Sequence, residues 1–420
     1  MEFETRKYQQ EAIEKGVEFF LDKKRENGII VLPTGSGKAF CISSIADRLG
    51  ENLLVFQPSK EILEQNLETM RTYTEDCSAY SASVGQKKVS KITFATIGSV
   101  KNHIDEFKHF KYIMVDECHG LGTDNDEGMY IKFLSMLDCK VLGLTATPYR
   151  LYTDTKFDYV TRKMTTVNAR LLMLTQVPNP FFTRILYIVQ NREMFDKGYL
   201  CAPTYYEVKP PRWNEEKMFA NTSGSDFSSK SVQWMMEQSD MTRHLISICR
   251  RLLKPKDGKP RNGILVFTQF VEDAEEICAN VAYSAYVCGT TTKKNRERII
   301  NEFKEGKIKV LVNVSALATG FNVPSLDTVV LGRPTLSMAL YLQQVGRCVR
   351  RFDGKNAWVI DCVGNTKRFG HMENVWIGRM NGSLHEEVYG WVADKKHPDG
   401  RWKQLTGVPL KQTEASLFVK

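Results

Sequence analysis

Apolar runs alternate with amphipathic segments along the first 150 residues. The runs are separated by helical patterns such as Lys60 to Met70, and they fall at 29–32, 53–56, 92–95, 112–115 and 141–144. Short continuous apolar runs are typical of strands buried on both faces, and strands that alternate with helices predict a parallel sheet covered by helices. We therefore predict an α/β domain over residues 1–150.

The same alternation returns in the second half of the chain, with apolar runs at 264–267, 309–314, 328–331 and 357–360. These runs predict a second α/β domain over residues 241–370. Between the domains, residues 151–240 have no regular period and contain Pro178-Asn179-Pro180, Pro210-Pro211 and a Ser-rich stretch. Such residues interrupt regular structure, so we expect a connector or insertion there. Residues 371–420 form a C-terminal extension.

Composition limits the class of protein. The chain has 420 residues, of which 42% are hydrophobic, and this suffices for two domains of ordinary size. No apolar run approaches the roughly 20 residues that span a bilayer, and Met1 to Gln10 is too polar for a signal peptide, so we expect no membrane. The ten cysteines include no CxxC pair, which indicates neither a zinc site nor disulfides and predicts a reducing cytoplasm.

Positive charge is concentrated in the second half. From Thr290 onwards 21 Lys and Arg oppose 12 Asp and Glu, whereas the preceding residues balance at 37 against 37, so the later segment carries the whole net charge of +9. A basic second domain fits contact with a polyanion, because neutralising phosphates releases counterions. The alternative is a solvated helix face, since Ile299 and Phe303 mark a buried side beside Lys293, Lys294, Arg296 and Arg298.

A glycine-rich turn links the first apolar run to a helical pattern that starts at Phe40. Glycines let backbone amides turn inward on phosphate groups, a helix N-terminus adds partial positive charge, and a lysine at this point reaches the terminal phosphates. This strand-turn-helix arrangement predicts a phosphate-binding loop for a nucleotide. Its residues are Thr34, Gly35, Ser36, Gly37, Lys38 and Ala39.

Two adjacent carboxylates follow the apolar run that ends at Val115. Asp116 and Glu117 at the end of a strand suit phosphoryl transfer, in which one carboxylate holds Mg²⁺ and its neighbour orients the water that attacks the γ-phosphate of ATP. The alternative is a solvated turn. The phosphate-binding loop about 80 residues upstream favours the catalytic interpretation.

The complete series of motifs resembles a superfamily-2 helicase over roughly residues 5 to 365. In order, its elements are Arg6-Lys7-Tyr8-Gln9-Gln10, Pro33 to Lys38, Pro58-Ser59-Lys60-Glu61, Ala95 to Ser99, Asp116 to His119, Thr145-Ala146-Thr147-Pro148, Val266 to Gln269, Ala318 to Pro324 and Gln343 to Arg350. The resemblance implies two tandem RecA-like domains, each a parallel sheet wrapped by helices, with an ATP cleft between them. Within the superfamily, the details are most similar to RadD-type repair ATPases and UvsW-type phage helicases.

The resemblance also implies roles for individual residues. Adenine recognition falls to Arg6, Tyr8 and Gln9, and further nucleotide contacts to Gly320 and Asn322. Contact with the γ-phosphate falls to Gln343, Arg347 and Arg350. The two arginines are spaced by one helical turn, so one helix would present both. The phosphates of the nucleic acid would be contacted by side-chain hydroxyls, which bind phosphate without selecting bases. The residues that supply these hydroxyls are Ser59, Thr96, Ser99, Thr268, Thr290 and Thr319.

Two positions depart from the family pattern. Ala39 stands where Ser or Thr supplies a hydroxyl to Mg²⁺, and a water molecule would have to take that place, with a loss of affinity or rate. Asn322 stands where relatives often have Asp, which bears on recognition of the ribose. A slow ATPase is therefore one expectation.

Three functions stay open at this point. The first, which we favour because Lys38, Asp116, Glu117, Arg347 and Arg350 are all present, is an ATP-dependent helicase or translocase acting on DNA in repair or recombination, with RNA as the other track. The second is a nucleic-acid-binding protein gated by ATP. The third is the motor of a restriction or defence complex.

The C-terminal extension has alternatives of its own. It holds Trp376, Trp391 and Trp402 among several cations, which suits a single-strand stacking platform or a docking surface for a repair or replication protein. The other interpretation is that these tryptophans pack the extension against the second domain.

Overall fold

The computed structural model describes residues 5–121, 124–158, 163–221, 224–256, 258–261, 263–315, 323–379, 383–394 and 397–404. The chain divides into two compact units. Unit 1 comprises Met1–Arg150 with Leu172–Gln190, and unit 2 comprises Leu151–Leu171 with Asn191–Lys420.

Unit 1 is built on an eight-stranded sheet. The strands between residues 28 and 188 are β1 Gly28–Val31, β2 Leu53–Phe56, β3 Cys77–Ser81, β4 Gln86–Lys87, β5 Ile92–Ala95, β6 Tyr112–Asp116, β7 Lys140–Thr145, β8 Tyr149–Asp158, β9 Lys163–Met173 and β10 Arg184–Ile188, of which β8 and β9 belong mostly to unit 2. The sheet order is β10-β1-β7-β6-β2-β5-β3-β4, while β8 and β9 pair separately. The helices are α1 Lys7–Leu21, α2 Lys38–Leu49, α3 Lys60–Arg71, α4 Ile97–Val100 and α5 Asp124–Ser135.

All strands of this sheet except the short β4 run parallel. Their residues are mostly buried on both faces, because helices such as α1 cover the sheet; Ala12, Ile13, Phe19 and Phe20 form the buried side of that helix. Parallel strands all end at one edge of a sheet. The segments that follow β1, β2, β5, β6 and β7 therefore share that edge, and every motif of the first half lies in one of them or in α1.

Unit 2 contains a six-stranded parallel sheet in the order β11-β16-β15-β12-β14-β13. Its strands are β11 Thr204–Glu207, β12 Ile264–Thr268, β13 Ser284–Val287, β14 Val310–Val314, β15 Thr328–Leu331 and β16 Trp358–Asp361. The helices are α6 Asn191–Asp196, α7 Ser229–Ser239, α8 Met241–Leu253, α9 Val271–Asn280, α10 Lys293–Lys304, α11 Met338–Val345 and α12 Asn365–Phe369.

The C-terminal extension forms a three-stranded antiparallel sheet within its described residues. Its strands are β17 Val375–Gly378, β18 Glu387–Asp394 and β19 His397–Gln404. The Trp376 ring packs against Tyr389 at 5.5 Å between centroids, and Trp391 is the register partner of Trp402. The predicted stacking or docking role stays a prediction, and residues 405–420 lie outside the described part of the chain.

The predicted fold class is confirmed, and all nine apolar runs coincide with strands. Five strands of the two large sheets gave no such signal: β3, β4, β10, β11 and β13 are short, and each contains polar residues. Two of these, β10 and β11, come from the expected connector 151–240, yet each forms an edge strand of one of the large sheets. No helix among the described residues has the length and apolar character needed to cross a membrane.

Candidate functional site

The phosphate-binding loop lies between β1 and α2, as its sequence predicts. Gly35 and Gly37 have φ angles of +84° and +86°, a left-handed conformation that favours glycine. A Cβ atom at position 37 would also lie 2.7 Å from Nε2 of Gln9. Lys38 is the first residue of α2, so the helix N-terminus and the lysine ammonium occupy the same end of the loop.

The predicted adenine motif holds this loop from the side of α1. Tyr8 donates from its hydroxyl to the Ser36 carbonyl oxygen at 2.7 Å, and Gln9 Nε2 donates to the same oxygen at 2.9 Å. Oε1 of Gln9 accepts from the Arg6 amide at 3.1 Å. Each end of an amide side chain has a second hydrogen-bonding position, so an adenine contact by Gln9 stays compatible with these bonds.

The two carboxylates occupy the end of β6. Asp116 is its last residue, and Glu117 follows with φ 48°, a left-handed conformation that strains a residue with a side chain. The Glu117 amide donates to Oδ1 of Asp116 at 2.9 Å, and Nζ of Lys38 lies 3.1 Å from Oε1 of Glu117. The tertiary structure thus brings together three predicted catalytic residues, Lys38, Asp116 and Glu117.

The surroundings of Asp116 fit a divalent cation. Burial, and after it the negative charge of Glu117, raises the pKa of Asp116 to about 7, and a bound cation would offset both effects. Among the described residues no group of three or more His, Cys, Asp or Glu side chains could hold a metal. A single carboxylate is nevertheless sufficient for Mg²⁺, which proteins usually bind with substrate phosphates and water as the other ligands.

His119 connects the acid pair to the end of β7. Its Nδ1 lies 3.4 Å from Oε2 of Glu117 and 2.8 Å from the hydroxyl of Thr145, which accepts from the Thr147 amide at 3.0 Å. Burial lowers the pKa of His119, which favours the neutral ring. The motif Thr145-Ala146-Thr147 therefore touches the acid pair through one imidazole.

Sequence reasoning missed two residues of this site, Asn66 and Gln57. Nδ2 of Asn66 donates to Oδ2 of Asp116 and to Oε1 of Gln57, each at 3.1 Å, and both residues are buried. A signal was available, because Asn66 is a polar residue within the apolar stripe of α3 and Gln57 directly follows a buried strand. This network links Asp116 to the segment that carries Ser59.

The predicted nucleic-acid residues of unit 1 lie at the same edge of the sheet. The hydroxyls of Thr96 and Ser99 are 3.0 Å apart, and Ser81, at the end of β3, joins them at 3.0 Å from Thr96. Ser83 extends the chain of hydroxyls at 2.9 Å from Ser81; neither Ser81 nor Ser83 was predicted. Ser59 instead caps α3 and accepts from the Ile62 amide at 3.4 Å.

In unit 2 the predicted residues Gln343 and Arg347 line a cavity of about 60 Å³ at the carboxyl edge of the sheet. The other lining residues are Phe267, Thr268, Asn313, Ser315, Arg333, Leu340 and Gln344. Of these Arg333 donates to the Ser315 hydroxyl at 2.9 Å. Neither Arg333 nor Ser315 was predicted from the sequence, although Arg333 lies only two residues beyond the apolar strand β15.

The expectation that one helix presents both arginines is wrong. α11 ends at Val345, Arg347 lies in the turn beyond it, and Arg350 pairs with Leu200 in an isolated antiparallel bridge. Gly346 follows the last helical residue, so the one-turn spacing does not apply. Burial lowers the pKa of Arg350 to about 10.

Of the remaining predicted contacts in unit 2, Thr268 is buried, Thr290 is exposed, and the others lie outside the described residues. Thr268 is fully buried, and its hydroxyl donates to the Phe270 carbonyl at 3.2 Å. The Thr290 hydroxyl lies 3.1 Å from the Cys288 sulfur. Thr319, Gly320 and Asn322 belong to 316–322, which the structure does not describe.

Family comparisons agree with the motifs. Residues 2–150 match the family described as "Type III restriction enzyme, res subunit", and residues 244–352 match "Helicase conserved C-terminal domain". The chain belongs to the superfamily-2 helicases, the ATP-hydrolysing class that its motifs predict. The finer resemblance to RadD-type and UvsW-type proteins stays a prediction.

Several curated relatives align with most of the chain. A 51.5 kDa protein of Lactococcus phage (isolate 7-9) is 24% identical, with 90% of this chain and 71% of the relative covered. The DNA 3'-5' translocase XPB2 of Sulfurisphaera tokodaii is 24% identical, with 86% and 81% covered. The ATP-dependent RNA helicase DBP3 of Kluyveromyces lactis is 21% identical, with 84% and 65% covered. Other relatives are matched over only about half of their own length.

Solved structures show the same fold. The Type ISP restriction-modification enzyme LlaBIII bound to DNA has a TM-score of 0.62 at 17% identity, with 86% of this chain and 28% of that chain covered. Dbp5 of S. cerevisiae, bound to RNA and ADP BeF3, has a TM-score of 0.56 at 17% identity, with 85% and 83% covered. Because the chain spans little more than a quarter of LlaBIII, the activities of that whole enzyme do not transfer with the fold.

Proposed function

We propose that this chain uses ATP hydrolysis to translocate along DNA or to unwind it, with single-stranded or branched DNA as its track. The observation that carries the proposal is a continuous network at the carboxyl edge of the first sheet. It joins the acid pair to the Thr145 motif through His119, and to the segment bearing Ser59 through Asn66 and Gln57.

In this proposal the network couples the state of the nucleotide to the grip on nucleic acid. Lys38 binds the terminal phosphates, and Glu117 orients the attacking water and accepts its proton. Asp116 would hold Mg²⁺, which neutralises charge on the phosphates when it is bound. A change at Asp116 reaches Gln57 through a single buried side chain, Asn66, so binding at either place alters the free energy of binding at the other.

The second unit contributes positive charge. Arg347 and Arg350 are proposed to stabilise the transferring phosphoryl group, and Gln343 to contact the γ-phosphate or its water. Hydrolysis would then depend on both units, which is the usual basis for converting nucleotide turnover into movement along a strand.

DNA is preferred to RNA because of the similar proteins whose names specify a substrate. XPB2 is a DNA translocase, LlaBIII was solved on DNA, and residues 2–150 of the chain match a restriction-enzyme family. DBP3 and Dbp5 represent the RNA alternative. Hydroxyls such as those of Thr96 and Ser99 contact phosphates without reading bases, so the site chemistry accepts both.

ATP turnover measured at fixed salt with single-stranded DNA, forked DNA, duplex DNA and RNA tests this function. We expect the largest stimulation with single-stranded or forked DNA. Stimulation by RNA alone would contradict the choice of track. Turnover that no nucleic acid stimulates would favour the nucleotide-gated binding protein, for which Ala39 is the specific argument.

A second candidate function is the motor of a restriction or defence assembly, favoured by the match of residues 2–150 to a restriction-enzyme subunit family. Purification of the native complex distinguishes the two, since a nuclease or methyltransferase would accompany such a motor. A repair or replication protein bound through residues 371–420 would instead support a role in repair.

A further inference from the structure

A broad basic groove opens at the amino edge of the second sheet. Strands β12, β15 and β16 run parallel and begin there, at Ile264, Thr328 and Trp358. The groove has a volume of about 1100 Å³, and no described motif residue lines it. Because β12 has five residues at ~3.3 Å each, roughly 16 Å separates this amino-edge groove from Thr268 at the other edge.

The side chains of the amino-edge groove are mostly cationic. Its lining contains two acids, Asp327 and Asp353, against six cations: Arg251, Lys254, Lys256, Lys259, Arg261 and Lys355. Asp327 is already paired with Arg261 at 3.3 Å. Four cations, Arg251 and the three lysines at 254, 256 and 259, are exposed, and none has an ion pair within the described part of the chain. One further acid, Asp257, lies in the same stretch of sequence. The excess of positive charge favours a polyanion.

Aromatic rings at the groove indicate which kind of polyanion it binds. The Arg261 guanidinium donates to the Thr328 hydroxyl at 2.8 Å and lies over the Trp358 ring at 4.3 Å, which fixes both at the floor of the groove. The Tyr206 ring packs on Trp358 at 5.0 Å between centroids and is 39% exposed. Phe352, at 52% exposure, lines the same groove. Exposed rings beside unpaired lysines suit unstacked bases with their phosphates, whereas an acidic peptide would use only the charge.

We propose that the amino-edge groove is a second binding site for single-stranded nucleic acid, separate from the track at the carboxyl edge. It rests on the proposed function, because unwinding releases a strand that the motor does not follow, and this strand is the one that the groove would hold. Cations of the groove contact the backbone of that strand, Phe352 stacks on its bases, and Tyr206, which packs on the groove residue Trp358 without itself lining the groove, extends the aromatic surface.

The salt dependence of binding tests the proposal quantitatively. The full chain, without ATP, is titrated with a single-stranded DNA oligonucleotide at several salt concentrations. Each neutralised phosphate on a single strand contributes ~0.7 to the slope of log K against log salt, so combining Lys254→Gln, Lys256→Gln and Lys259→Gln lowers the slope by about 2. The matched triple Lys217→Gln, Lys230→Gln and Lys304→Gln, which changes exposed lysines outside the groove, leaves it unchanged. An equal slope in the groove variant and the native chain overturns the proposal.

Photocrosslinking locates the contact directly. DNA substituted with 5-iodouracil is irradiated with the native chain, and crosslinked peptides are identified by mass spectrometry. We expect crosslinks to peptides with Phe352 or Tyr206, and Phe352→Ala removes those at its own position. Crosslinks restricted to peptides from the carboxyl edge, such as those with Thr96 or Ser99, would overturn the proposal.

The same variants separate this inference from the proposed function. Basal ATP hydrolysis stays unchanged in the groove triple, because none of its residues belongs to the ATP site. If the native chain neither hydrolyses ATP nor responds to any nucleic acid, the proposed function fails. If its turnover is stimulated by DNA while the groove triple keeps the native slope and the crosslinks of the native chain fall only at the carboxyl edge, only the amino-edge groove fails.

Discussion

The carboxyl edges of the two large sheets share a scaffold and differ in charge. In unit 1 the end of β6 carries two carboxylates, with the Lys38 ammonium 3.1 Å from Glu117. In unit 2 the cavity at the corresponding edge is lined by Arg333 and Arg347 together with amides and hydroxyls, and none of its described lining residues is acidic. Phosphoryl transfer needs carboxylates to hold a metal and orient water, and cations to stabilise charge. The same scaffold has thus specialised in opposite directions.

Both edges contain buried polar atoms that have no hydrogen-bond partner among the described residues; in unit 1 these include Oγ of Ser36, Nε2 of Gln57 and Oγ1 of Thr147. In unit 1 Asn66 donates to two oxygens, one on Asp116 and one on Gln57. In unit 2 the Oε1 atom of Gln344 and the Nε atom of Arg333 are buried without a hydrogen-bond partner among the described residues. The Asn66 amide is therefore bonded to two oxygens, while each edge also has buried polar atoms available for a ligand or another segment.

The largest effect should come from the carboxylate edge. Glu117→Gln removes the base that activates water, and we expect ATP hydrolysis to fall by up to about 10⁴-fold while ATP binding persists. Phosphate release and binding of a fluorescent ATP analogue measure the two quantities. Glu68→Gln, an exposed change on α3, is the control and should keep native turnover. Native turnover in a folded, ATP-binding Glu117→Gln protein would exclude this site.

The second-largest effect should come from the cationic edge of unit 2. Arg347→Ala is expected to lower the maximal ATPase rate by about 10³-fold, because an arginine that stabilises the transferring phosphoryl group contributes at least that much in related enzymes. Arg347→Lys keeps the charge without the planar fork and should give an intermediate rate. The exposed Arg243→Ala serves as the matched control. If Arg347→Ala hydrolyses ATP like the native chain, unit 2 does not complete the reaction.

The difference between the doubly bonded Asn66 and the unpartnered oxygen of Gln344 can be tested by stability. Asn66→Leu strands two buried oxygens, so the free energy of unfolding should fall by about 1–3 kcal/mol. Gln344→Leu removes an oxygen that has no partner and should change stability much less. Urea titrations of both variants give the comparison. Equal losses would show that the two hydrogen bonds of Asn66 contribute no more to stability than the Gln344 side chain does.

The smallest effect concerns the missing hydroxyl at position 39. Ala39→Thr should lower the Mg²⁺ concentration needed for half-maximal ATPase activity by a few-fold, because a threonine hydroxyl at this place binds the metal. Ala39→Val has the same shape without the hydroxyl and should leave the titration unchanged. Should the Thr and Val variants behave identically, water or another group already fills the position.

Much of this architecture could be predicted from periodicity. Strands such as β1, β2 and β12 are continuous apolar runs, and they form where parallel strands are buried on both faces. The strands that the sequence did not predict form because neighbouring strands of the sheet provide their hydrogen-bonding partners. β3 contains serines and pairs with β5, and β10 adds to the edge of β1 from a distant part of the chain. Local sequence carries little information on such pairings, because the hydrogen-bonding partner lies far away in the chain.

For the site, the sequence by itself determined the phosphate-binding loop and the acid pair, because glycines with left-handed φ and carboxylates at the end of a strand are local requirements. Only the tertiary structure decided that Asn66 bridges Asp116 and Gln57, that Ser81 joins Thr96, and that Arg350 leaves the helix of Gln343. These contacts depend on which strand ends share an edge and on where a helix stops. Sheet order and side-chain burial determine which strand ends share an edge and where a helix stops. Sheet order and burial do not follow from spacing along the chain.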